Sequence, residues 1–159
     1  MPPGQVSIDE VDRQILAVLA ADGRVSVSEL ATRANVSRAT AYNRFDRLRE
    51  EGVITGFRAE VDHAALGLTI AALVLVNVEQ RSWRSSLDEL SALPGVEYVA
   101  LTSGGFDFVL FVRAPDIHAL RDVLLEELQG MPQVRGTQTV FVLDERSRPL
   151  DLDSPSPPP

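Results

Sequence analysis

Residues 37–51, SRATAYNRFDRLREE, restrict the fold of this chain more than any other stretch. Ser37 is a favoured N-cap type, its hydroxyl able to accept an orphan N–H of the first helical turn. At about 100° per residue, Ala41, Phe45 and Leu48 fall on one narrow stripe, the side predicted to be buried. The same arithmetic groups Thr40, Asn43 and Arg47 on the opposite side, with Arg44 on one flank, Tyr42 on the other and Arg38 at the N-terminal end. Arg and Asn form paired hydrogen bonds with guanine and adenine edges, so this outward set has the chemistry of a DNA-reading surface. Taken alone, such a helix is more often a solvated polar face than a DNA-reading one.

The upstream segment tips the balance. Ser26-Val27-Ser28-Glu29 is a capping-box pattern that starts a short helix, with Leu30, Ala31 and Ala34 on its buried side. Asn35 suits the left-handed conformation that ends a helix, Val36 points inward, and Ser37 restarts the chain as a helix. A short helix, a tight turn and a longer cationic helix make a helix-turn-helix. A preceding helix is predicted from Ile8, Val11, Ile15, Leu16 and Leu19 at three- and four-residue spacing. Asp9 caps it, Asp12 suits the positive end of its dipole, and Asp22-Gly23 ends it, with glycine in the left-handed geometry of a C-cap. Gly52 closes the third helix. One small core is expected from Ile15, Leu19, Leu30, Ala31, Phe45 and Leu48.

A net charge of −8 opposes nucleic-acid binding at first sight. Every cation is arginine, however, and Arg33, Arg38, Arg44, Arg47 and Arg49 are clustered with Asp46 as the lone acid among them. Phosphate contact depends on local patches, because screening removes distant charges over roughly 8–10 Å. The chain has no cysteine, which excludes disulfides, zinc ribbons and thiolate catalysis. The N-terminal MPPGQVSIDE lacks the basic and apolar regions of a signal peptide, and the most apolar run, residues 70–76, is too short to span a bilayer. A cytoplasmic protein without membrane association is expected. His63 and His118 lack metal-spaced partners, so no metal site or cofactor is predicted, and His63 reads as a solvated linker histidine.

Five parts are predicted along the chain: a flexible arm at 1–6, the helical domain at 7–54, a connector at 55–67, a second domain at 68–143, and a disordered acidic, Pro-rich tail at 144–159. In the second domain the pattern gives a strand at 69–79, a helix at 82–93 with Leu87, Leu90 and Leu93 inward, a strand at 96–102 and another at 106–113. Ser103-Gly104-Gly105 turns between the last two. A helix from Pro115-Asp116 to about Gln129 buries Ile117, Leu120, Val123, Leu124 and Leu128. The last strand, 134–143, places Thr137, Thr139 and Phe141 on one side and Val140 and Val142 on the other. The order βαββαβ is ferredoxin-like, with helices covering one side of an antiparallel sheet, so the fold class is α+β. The uncovered side is expected to carry Val99, Leu101, Val109 or Leu110, and Phe111. A second copy of the chain is its simplest cover.

These features together resemble the Lrp/AsnC family of prokaryotic transcription regulators, with its RAM/ACT-like second domain. The matching text is Ile8-Asp9, Asp12, Ile15-Leu16, Asp22-Gly23-Arg24, Leu30-Ala31, Val36-Ser37, Arg44, Leu48, Gly52-Val53-Ile54 and Leu66-Gly67. In the second half it is Gly104-Gly105-Phe106-Asp107-Phe108, Pro132, Val134, Thr137 and Thr139. The resemblance implies DNA-binding homodimers that assemble further to tetramers or octamers, and an amino acid or similar small-molecule effector held between subunits. Carried over, the effector residues are Ser103, Gly104, Gly105, Phe106 and Asp107, with Thr137 and Thr139. The glycine N–H groups suit a carboxylate and Asp107 suits an ammonium group. Many members carry an acid where this chain has Gly105, and Tyr where it has Phe106. The other reading of the loop is a tight turn fixed by Asp107.

A ligand-modulated regulator is therefore expected, with Thr40, Asn43 and Arg47 reading bases and Ser37, Arg38, Tyr42 and Arg44 meeting phosphates of a two-fold duplex operator. The alternative is a ligand-sensing assembly module whose helical domain binds protein. No catalytic residues are assigned: the histidines stand apart, and the Asp88-Glu89 and Glu126-Glu127 pairs lie on polar helix sides.

Overall fold

The structure, a computed structural model, describes residues 6–79 and 83–147. Its contacts divide these residues between one unit that ends at Glu60 and a second, Val61–Arg146. The expected arm and tail lie largely outside the described residues.

Three helices build the first unit: α1 (Glu10–Ala21), α2 (Val27–Arg33) and α3 (Arg38–Glu50). Asp9 caps α1 in a reciprocal box, its Oδ1 accepting the Asp12 N–H at 2.9 Å while Asp12 Oδ2 accepts the Asp9 N–H at 3.0 Å. Ser26 accepts the Glu29 N–H, and Ser37 the Thr40 N–H at 3.1 Å, each satisfying a donor that a helix start leaves open. Asn35 stands at φ +52°, the left-handed turn that Asn tolerates and that lets α3 cross α2. Ile15, Leu30, Ala34 and Leu48 form the core, with Leu19, Val36, Phe45, Val53 and Ile54 packed around it. Gly23 departs from expectation. It is not left-handed; α1 ends on an extended Asp22. A Cβ on Gly23 would meet the Phe57 ring at 3.0 Å, so packing by Phe57 accounts for glycine here.

The second unit is a four-stranded antiparallel sheet in the order β2-β3-β1-β4, the ferredoxin-like arrangement. Its strands are β1 (Ile70–Val78), β2 (Val96–Leu101), β3 (Phe108–Ala114) and β4 (Val134–Phe141), with helices α4 (Trp83–Ser91) and α5 (Ile117–Asp122). Along β1 and β3 burial alternates strictly, because period-two strands send Ala72, Val74, Val76, Phe108, Leu110 and Val112 to the helix side. Leu90, Leu93, Leu120 and Leu128 meet them there.

Several expectations are corrected by this register. Leu110 lies on the covered side, and Val99, its cross-strand partner, packs against the same core. Leu101 pairs with buried Phe108, so it too belongs to the covered side, though it stands exposed at the edge strand. Val109 and Phe111 do occupy the open side, with Leu73, Leu75, Tyr98 and Val140. Leu87 and Ile117 are exposed rather than inward; Leu90 and Leu120, three residues further along each helix, make the core contact. The predicted second helix changes character at Val123–Leu128, where it widens into a π-helical segment. The last strand stops at Phe141, and Leu143 is 97% exposed.

Gly95 allows no side chain: φ is +74°, and a Cβ would stand 2.2 Å from the Arg113 carbonyl oxygen. Gly95→Ala is expected to destabilise the second unit by about 2 kcal/mol or more. Thermal unfolding followed by the fluorescence of Trp83, the chain's one tryptophan, reports that unit directly.

Candidate nucleic-acid interface and effector loop

The exposed side of α3 is not the side that helical arithmetic favoured. Arg44 and Arg47 are turned onto α1. Arg47 Nη2 donates to Asp12 Oδ2 at 2.5 Å and its Nη1 to Glu51 at 3.3 Å, with the Ser7 carbonyl beyond at 3.4 Å. Arg44 Nη1 donates to Asp9 Oδ2 at 2.5 Å and to Asp12 Oδ1 at 3.2 Å. Asp12, at the positive end of the α1 dipole as expected, is completely buried between them. A buried carboxylate must be matched by charge and hydrogen bonds, and here two guanidiniums and a backbone N–H supply both. The Asp12 N–H and then Arg44 hold the Asp9 carboxyl below the usual carboxylate range. The hydrogen bonds from Arg44 to Asp9 and from Arg47 to Asp12 push both guanidiniums upward, keeping them charged. Thr40 is half-buried, its hydroxyl 2.8 Å from Ser37 Oγ.

What remains outward is Ser37, Arg38, Tyr42, Asn43 and Arg49. At about 100° per residue Arg38, Tyr42 and Arg49 fall within a narrow arc, and Asn43 lies about a quarter turn beyond Tyr42 on the same exposed side. Tyr42 is 55% exposed, large for an aromatic ring with no described partner surface. Arg38 forms no ion pair among the described residues, and Arg49 instead lies over the Phe45 ring at 5.7 Å. Phe45 in turn stacks on Phe57. Of the α3 arginines, Arg38 and Arg49 are therefore the two that form no ion pair among the described residues. Arg49 was not among the residues assigned from the sequence; its exposure at the same face as Arg38, eleven residues on, was the available signal.

In the second unit, residues 102–107 join β2 to β3. The Thr102 N–H donates to the Asp107 carbonyl at 2.8 Å, and its hydroxyl to the Phe106 carbonyl at 2.7 Å. Asp107 is committed on both sides: its N–H donates to the Val76 carbonyl, and its Oδ2 accepts the Val78 N–H at 2.9 Å. The carboxylate thus ties the loop to the end of β1. Gly104 adopts φ +140°, and Ser103, Gly104 and Gly105 are exposed with open space where a Cβ would stand. Thr137 and Thr139 lie on the helix side of β4, opposite Val76 and Val74. They line a groove of about 460 Å³ with Ile117, His118, Leu124 and Phe141, and the loop at 103–107 is not part of that lining. His63 is not a solvated histidine either: its Nε2 stands 3.0 Å from Glu97, which also receives Arg113.

Comparison with known proteins matches both units. The family model for the AsnC-type helix-turn-helix domain covers residues 8–49, and that for the Lrp/AsnC ligand binding domain covers 71–150. The regulator AldR of Mycolicibacterium smegmatis is 36% identical over 86% of this chain and 82% of its own. The solved structure of E. coli AsnC superposes with a TM-score of 0.82 at 28% identity, over 92% of this chain and 99% of that one. The L-Met complex of a transcriptional regulator from Neisseria meningitidis gives 0.85 at 24% identity over 92% and 98%, a likeness of fold. With both units matched in order and over nearly their full extent, the chain belongs to the Lrp/AsnC family of helix-turn-helix transcription regulators and is a DNA-binding regulator of transcription.

Proposed function

We propose that this regulator places the Arg38–Tyr42–Arg49 side of α3 in the major groove of a two-fold operator. Asn43, about a quarter turn round the same exposed side, reads base edges, while Ser37, Arg38, Tyr42 and Arg49 meet phosphates. The observation that carries this reading is the sorting of arginines on α3: Arg44 and Arg47 are paired with Asp9, Asp12 and Glu51, while Arg38 and Arg49 point outward and form no ion pair among the described residues. Thr40, Arg44 and Arg47 are given no base contact, because their polar groups already have partners. A cytoplasmic location accords with work on DNA. No described helix is long and apolar enough to cross a membrane.

Two-fold recognition needs two copies. The open side of the sheet, with Leu73, Leu75, Tyr98, Val109, Phe111 and Val140, is the apolar surface a second copy would cover, and further assembly of dimers would build on it. The second unit would take an amino acid or a similar small molecule at the exposed glycines of 103–105, completed by Thr137 and Thr139 of another subunit. Asp107 shapes that loop rather than binding through its full carboxylate.

Binding-site selection tests the reading directly. Asn43→Ala is expected to lower specific affinity by roughly 1–3 kcal/mol and relax preference at one base pair, whereas Arg38→Ala should weaken all sequences alike and reduce the salt slope by about one. An unchanged selected motif for Asn43→Ala would overturn the assignment. Phe111→Glu, which puts like charges face to face across a sheet dimer, is expected to give monomers by light scattering and to lose two-half-site binding. Repeating the selection with a panel of amino acids should show one that shifts operator affinity by about 5- to 150-fold, the usual span of such coupling.

A further inference from the structure

The arginines that α3 turns away from its outer side meet a surplus of acid. Asp9, Asp12 and Glu51 set three carboxylates against the two guanidiniums of Arg44 and Arg47, at 2.5 to 3.3 Å, leaving one net negative charge. Asp12 is buried, and both arginine side chains are 33% exposed, so these contacts are shielded from competing water on one side and open on the other. A phosphate approaching that open side would have to displace a carboxylate already in charge-assisted contact. Counterion release on binding follows the number of phosphates neutralised by free cations, about 0.9 per contact in the slope of log affinity against log salt. An arginine already neutralised contributes little to that slope.

We propose that Asp12, with Asp9, is a specificity-determining positioning pair: by holding Arg44 and Arg47 on α1, it withdraws two cations from the phosphate-binding surface and keeps affinity for arbitrary duplex low. This rests on the DNA-binding surface assigned above. Sequence discrimination is a ratio of specific to non-specific affinity, and a genome offers a vast excess of competing sites. Lowering the sequence-independent part raises the ratio without any new base contact. The acid pair also keeps the two arginines from being free to bind at random while leaving Arg38 and Arg49 to steer the duplex.

Asp9→Asn and Asp12→Asn in the full chain provide the test. Asn caps a helix about as well as Asp, so Asp9→Asn removes charge and keeps the α1 cap. Binding to a random-sequence duplex and to a selected operator is measured by fluorescence anisotropy over a salt series, with thermal unfolding of each variant alongside. The salt slope for random duplex is expected to steepen by about one in Asp9→Asn and by one to two in Asp12→Asn. Affinity for random duplex should rise about tenfold in dilute salt, and the operator-to-random ratio should fall. If Asp12→Asn fails to fold, Asp9→Asn alone decides the matter. Unchanged slope and affinity in a folded variant would overturn the proposal, as would a uniform loss of affinity, which would make the acids a buttress for phosphate-binding arginines. Absence of duplex binding by the unsubstituted protein would instead overturn the DNA-reading surface itself.

Discussion

Asp12 sits without solvent at the junction of α1 and α3, and its neutralisation fixes much of what the first unit presents. Removing one of its guanidinium partners would leave a buried charge only partly compensated, which is costlier than losing a surface ion pair. The carboxylate therefore settles the rotation of two arginines about α3. It also couples the α1 cap to the recognition helix, because Asp9 and Asp12 exchange backbone hydrogen bonds and share Arg44. The face left for a partner is what that arrangement does not use. In a molecule of net charge −8, the two α3 arginines that form no ion pair among the described residues, Arg38 and Arg49, mark the surface more sharply than the total count of arginines would.

The second unit divides its labour by strand period. Residues at even positions of β1, from Ala72 to Val78, seat the helices, while Leu73 and Leu75 face the open side beside Val109 and Phe111. Such a sheet has two apolar sides and helices for only one of them. Arg113, 9% exposed, closes one end of the open side by joining Glu97 and Glu145 and lying over the Phe111 ring. The Glu97 and Glu145 carboxylates raise its pKa against the opposing effect of burial. At the other end, Asp107 pins the glycine loop to β1, so the exposed backbone of 103–105 rests on a fixed base.

Much of this was readable from residue order. Capping residues announced all three helices of the first unit, since Asp9, Ser26 and Ser37 act on N–H groups only three positions away. The apolar run of β1 and the βαββαβ order gave the sheet, and the alternating burial along β1 came from the structure. Asn35 declared its turn. Local chemistry is legible because both partners lie within one turn of chain. The failures share one feature: the deciding atom was distant. Val99 and Leu101 were placed on the wrong side because their facing depends on pairing with Leu110 and Phe108. Gly23 answers to Phe57, and His63 to Glu97, thirty-four positions on in each case.

By itself, then, the order of residues determined the helices and their N-caps, the order of the strands, the α+β class and the family. Periodicity and capping act over a turn or a pleat, and those distances are written in the chain. Tertiary structure alone decided which side of α3 is free, which residues of β2 meet the core, and that the loop at 103–107 and Thr137 and Thr139 do not line one groove within a protomer. A helical wheel assigns Arg44 and Arg47 by angle, but a buried carboxylate on another helix attracts them through space, thirty-two to thirty-five residues away, with an energy that angle cannot express.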